Sequence, residues 1–98
     1  MIFGEMQYEQ DYSEFHSELL EFVDLNFREI KHGLQGDSWI WIFEGDEKVE
    51  IDTFYSMKHQ IKSASPARHL VRKVINVLST RYDITVYEEP ELEPHEED

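Results

Sequence analysis

Cysteine is missing from all 98 residues, so disulfides and thiolate chemistry are both unavailable to this chain. Long apolar runs are missing too, since no segment approaches the ~18–20 residues that a spanning helix requires. The opening MIFGEMQYEQ lacks the basic n-region of a secretory leader. The expected setting is therefore a soluble cytoplasmic protein without membrane association, and the lack of signals fits a bacterial cytoplasm. Familiar catalytic patterns are absent as well: no nucleophile elbow, P-loop, GxGxxG or HExxH occurs. His16, His32, His59, His69 and His95 share no metal-ligand spacing, which gives no reason to expect a metal or other cofactor. His16 and His69 fall at positions that read as the polar sides of amphipathic elements.

Bases are scarce, nine Lys and Arg against 22 Asp and Glu, for a net charge of −13. That balance argues against nucleic acid and anionic membranes as partners over most of the surface. The distribution is uneven. Residues 1–27 contain seven acids and no Lys or Arg, residues 58–82 contain six bases and no acid, and residues 83–98 contain eight acids and no base. The end of the chain, EEPELEPHEED, offers one leucine and no β-branched residue, so it cannot offset the ~1–2 kcal/mol per residue of backbone ordering. The expected organisation is a single domain over 1–88 and an acidic disordered tail over 89–98.

Periodicity supplies the elements. IFGEMQY (2–8) reads as a strand. Asp11, with Glu14 three residues on, has the spacing of a helix N-cap, and Phe15, Leu19, Phe22 and Val23 then form one apolar stripe. REIKHGL (28–34) is a second strand, ending at the turn QGDS. Ser65-Pro66 is expected to open the second helix, with serine as cap and proline at the first helical position. Its stripe runs through Ala67, Leu70, Val71, Val74, Ile75, Leu78 and Tyr82. DITVY (83–87) is a last strand, and 53–65 stays open between strand and loop. The order β-α-β-β-β-α-β resembles a ferredoxin-like split β-α-β layout, with two helices on one face of a mixed, mostly antiparallel sheet.

Most of the functional content lies in SWIWIFEGDEKVEID (38–52). A two-residue II′ loop at Gly45-Asp46 pairs Glu44 with Glu47, Phe43 with Lys48, Ile42 with Val49, Trp41 with Glu50, Ile40 with Ile51 and Trp39 with Asp52. This register collects the isoleucines and valine on one face. Trp39, Trp41 and Phe43 share the other face with charged neighbours, and Tyr87 is expected on that side too. Three such rings can exceed the few hundred Å² that a monomer normally exposes in one patch. The expected cover is a second copy, a different protein, or the 53–64 segment with Tyr55, Met57 and Ile61. A second candidate is anionic. Lys62, Ser65, Arg68 and Arg72 bracket the second helix's N-terminus, where free N–H groups of Ala67 and Arg68 would receive phosphate or a carboxylate. Pairing with the acidic first helix competes for the same charges. The leading expectation is a small non-enzymatic interaction module (an adaptor, inhibitor or assembly subunit), working as a homodimer or with a protein partner. The alternative is a small-molecule or anion-binding domain, including a dimeric ferredoxin-like enzyme.

Overall fold

The computed structural model describes residues 1–65 and 67–93. The chain is α+β: strand β1 (Ile2–Gln7), helix α1 (Tyr12–Asn26), strands β2 (Glu29–Gln35), β3 (Asp37–Glu44), β4 (Glu47–Asp52) and β5 (Gln60–Lys62), helix α2 (His69–Ser79) and strand β6 (Asp83–Glu91). The open segment 53–65 resolves into irregular backbone followed by the short strand β5. None of the described helices is long and apolar enough to cross a membrane.

Helix α1 begins as its spacing predicts. Asp11 has extended backbone and its carboxylate accepts from the Ser13 N–H at 3.2 Å. The Ser13 hydroxyl and amide also hold the Asp11 carboxyl below the usual carboxylate range. Phe15, Leu19 and Val23 are buried, and Glu14, Glu18, Glu21 and Asp24 face solvent. His16 is the exception, buried beside the stripe rather than placed on the polar side.

Helix α2 starts later than Ser65-Pro66 implies. Its first residue is His69, its N-cap Arg68 makes no side-chain capping bond, and Ala67 lies outside the helix. The cap comes from elsewhere in the chain: Glu47 on β4 accepts from the Leu70 N–H at 3.0 Å. Leu70, Val71, Val74 and Leu78 are buried as the periodicity requires.

The β3–β4 register matches the sequence-based pairing at every position. Gly45 has φ +60, and no described residue other than glycine has positive φ. That combination fits II′, in which only the first loop residue needs the left-handed region.

The sheet has six strands in the order β2-β3-β4-β5-β1-β6, and every adjacent pair is antiparallel. The expected mixed sheet is thus corrected. Both helical crossovers do link parallel strands, but those strands are never neighbours. β1 separates β5 from β6, and β3, β4 and β5 separate β2 from β1. Both helices share one core with Ile40, Ile42, Val49, Ile51 and Ile61. Alternation then defines an outer face, turned away from the helices.

The domain also runs further than residue 88. β6 continues to Glu91, which pairs with Ile2, and Glu93 forms an ion pair with Lys62 at 2.9 Å. The rest of the expected tail, 94–98, lies outside the described residues.

Candidate functional site

Trp39, Trp41 and Phe43 stand half-buried on the outer face, between the fully buried Ser38, Ile40 and Ile42. The two indole rings are 4.6 Å apart at 43°. Gly33, directly across on β2, makes room for Trp39, since a Cβ there would come within 2.5 Å of its ring. Lysine ammonium groups lie over two of the three rings. The Lys48 ammonium is 3.8 Å from the Trp41 ring centroid, and that of Lys31 is 5.6 Å from Phe43. The indole N–H of Trp41 is buried without an acceptor. Tyr87 does not join this row. It is half-buried on β6, four strands from β3, which at ~4.8 Å per strand is roughly 19 Å away.

Next to the aromatic row is a buried ionic cluster. Asp52 and Lys62 are almost fully enclosed, with the Lys62 ammonium 2.5 Å from Asp52 Oδ1 and 2.9 Å from Glu93. Burial works against the ammonium, but the adjoining Asp52 and Glu93 carboxylates outweigh it and hold Lys62 above its ordinary value. Burial raises the Asp52 carboxyl despite that partner. Phe54 and Tyr55 lie over Lys62, with ring centroids 5.4 and 5.0 Å from its ammonium. These two residues and Met57 are 42%, 53% and 69% exposed, so 53–58 presents apolar side chains beside the outer face. Of this loop, the sequence pattern points to Tyr55 and Met57 as a cover but not to Phe54.

The anionic candidate is not assembled as expected. Lys62 is engaged by carboxylates on the outer face, whereas α2 packs on the inner one. The Arg68 guanidinium lies 5.3 Å from the Phe3 ring, Arg72 points to solvent, and half-buried Ser65 donates its N–H to Ser63 Oγ. Glu47 already occupies the helix start, with the His69 ring 4.0 Å away. The acidic chain supplies its own anion.

The core holds a second polar group of residues. The Tyr8 hydroxyl is 2.7 Å from His59 Nδ1, His59 Nε2 is 2.6 Å from Ser38 Oγ, and Ser38 Oγ is 2.6 Å from His16 Nδ1. His16, Ser38 and His59 are all buried. Burial pushes His59 down to about 4, with His16 adding to the effect, and pushes the Tyr8 phenol up to about 12. His16 is lowered by burial and by His32, whose ring is 6.3 Å away. Both imidazoles are therefore neutral at pH 7. With Ser38 enclosed, this chain is a structural network closed to substrate. Two signals were available for it: Ser38 shares the inward parity of Ile40 and Ile42, and His16 shares the helical phase of Leu19, Leu20 and Val23.

A cleft of about 470 Å³ is lined by Phe27, Arg28, Phe43, Glu44 and Lys73 among others, but Lys73 is paired with Glu44 at 2.8 Å. Among the described residues no group of three or more His, Cys, Asp or Glu is placed to hold a metal ion. In comparisons with known proteins the chain matches no family model, no curated protein and no solved structure.

Proposed function

We propose that the chain is a small non-enzymatic protein-interaction module, of the adaptor, inhibitor or assembly-subunit kind, whose contact surface is the outer sheet face. A second copy of the chain is its first occupant. The observation that carries this reading is the half-buried row Trp39–Trp41–Phe43 on the face that neither helix covers. Aromatic clusters of this kind dominate interface energetics when a partner completes their burial.

Charge favours a second copy at this place. With a net charge of −13 and an acidic outer side on α1, two molecules repel over most of their surfaces. Around the aromatic row the signs balance, Lys31 and Lys48 against Glu29 and Glu50. A two-fold contact sets such a patch against itself, with opposite charges facing. The strand order itself we read as a ferredoxin-like arrangement enlarged by a hairpin, β5-α2-β6 being the split unit that straddles β1. That architecture carries no function by itself.

Sedimentation equilibrium tests the reading. The wild type is expected to dimerise, and Trp41→Glu to weaken association roughly 30- to 1,000-fold, the range of a lost interface anchor. A wild-type monomer with shielded tryptophan emission overturns it.

A further inference from the structure

The outer face and the buried hydrogen-bonded chain share one piece of backbone, residues 53–59. At its start, Thr53 exchanges two bonds with Ser38: the Thr53 N–H donates to the Ser38 carbonyl at 3.0 Å, and the Ser38 N–H donates to Thr53 Oγ1 at 3.1 Å. At its end sits His59, locked between Tyr8 and Ser38. Between these anchors Phe54, Tyr55 and Met57 project beside the docking face. Side chains hold the far half of the segment. The Ser56 hydroxyl donates to Glu5, and the Lys58 ammonium donates to the Tyr8 carbonyl.

The protons in the chain can be counted. Four groups enclose three gaps, and each gap takes one hydrogen. With both imidazoles neutral, the sequence Tyr8 O–H to His59 Nδ1, His59 Nε2–H to Ser38 Oγ and Ser38 O–H to His16 Nδ1 fills all three. The reverse sequence fills them equally well. One added proton leaves every gap filled but puts an imidazolium among enclosed groups. A second aims two N–H donors at Ser38 Oγ and leaves the serine hydrogen without an acceptor.

Among the described residues, no counter-charge adjoins the two imidazoles. His59 faces Tyr8, Ser38 and the Phe15 ring at 5.9 Å, and His16 faces Ser38 and the His32 ring. Glu5 and Asp11 act on Tyr8 at the outer end, next to the Lys58 ammonium. No carboxylate among the described residues pairs with His16 or His59. An unpaired buried charge is expensive, and the network escapes it only by opening.

We propose that the Tyr8–His59–Ser38–His16 chain is an acid-sensitive latch on the docking face: proton uptake releases residues 53–59 and withdraws Phe54, Tyr55 and Met57 from the contact surface. The second half of this proposal rests on the outer face being that surface; the first half does not. The direction follows from the depressed His59 value. A group at about 4 when closed and 6.5 when open shifts the equilibrium toward opening as pH falls through that interval, about 30-fold between pH 7.5 and pH 5.0.

Hydrogen exchange of the full chain, corrected for the intrinsic pH dependence of exchange, reads the latch directly. Protection at amides 54–59 is expected to fall about 30-fold from pH 7.5 to pH 5.0, while protection at 39–43 in β3 holds. In His59→Gln, which cannot take up the charge, the selective fall disappears. Should that variant not fold, Tyr8→Phe cuts the chain at its outer end and is expected to lower protection at 54–59 already at pH 7.5. Unchanged protection at 54–59, or an equal fall in β3, overturns the latch. Sedimentation at the two pH values separates the halves. Weaker wild-type association at pH 5.0, absent in His59→Gln, supports both. A monomer at both pH values with the selective exchange change overturns the docking reading and leaves the latch standing.

Discussion

Among the described residues, two buried polar clusters solve the same problem in opposite ways. Under the helices, Tyr8, His59, Ser38 and His16 are all neutral and joined by three short hydrogen bonds. On the outer face, Asp52, Lys62 and Glu93 are joined as ions. The chemistry of the groups accounts for the difference. An imidazole ordinarily titrates near 6.5, so burial keeps it neutral at small expense. Neutralising a lysine at pH 7 requires moving it more than three pH units from about 10.4, so enclosure is matched by carboxylates instead. One cluster tolerates no charge, and the other tolerates no loss of charge.

Removing one ion is therefore the severest way to break the comparison. Lys62→Met is expected to destabilise by about 3–5 kcal/mol in urea unfolding, because Asp52 is left charged and enclosed. A loss under 1 kcal/mol would mean that water reaches Asp52. Titration sharpens the contrast. His59 is depressed, so its contribution is complete above 6.5 and is lost as pH falls toward about 4, an effect of about 3 kcal/mol. Lys62 is raised, so its contribution is complete below 10.5 and disappears only as pH rises through its elevated value. A stability profile of His59→Gln against wild type isolates the acid limb from the general titration of carboxylates, and parallel profiles below pH 6.5 would refute the assignment. The smallest of the three effects comes from the end of the chain. Composition alone expects deletion of 90–98 to be silent. Loss of Glu93 instead removes one of two charged partners from Lys62, and about 1.5–3 kcal/mol is expected, read as a shift in urea midpoint. No shift would show that Asp52 alone satisfies the ammonium.

The hairpin was the most legible part of the fold. Its pairing follows from alternation plus one glycine: a slip by one residue would move Ile40, Ile42, Val49 and Ile51 from core to solvent together. The apolar stripes of both helices were legible for the same reason, with burial at helical spacing. The start of α2 was not. Ser65-Pro66 is a good local signal, but the group that meets the first-turn amide is Glu47, 23 residues from Leu70, and no local rule reaches it. The same limit hid Lys62. Its place in a basic segment marks it as available, and only the sheet sets it against Asp52 and Glu93.

What the sequence determined by itself was periodic and local: two amphipathic helices, a tight hairpin with its aromatic side, and an acidic surface. These follow from backbone geometry, in which neighbours i+2 or i+4 already decide which face a residue takes. What the tertiary structure decided was every long-range polar contact. Tyr8, His16, Ser38 and His59 come from four separate stretches, and Asp52, Lys62 and Glu93 from three. Their meeting depends on strand order, since β5 and β1 must lie side by side and α1 must cross over β3. Strand order is set by how the whole apolar surface is buried, a property that no single segment carries.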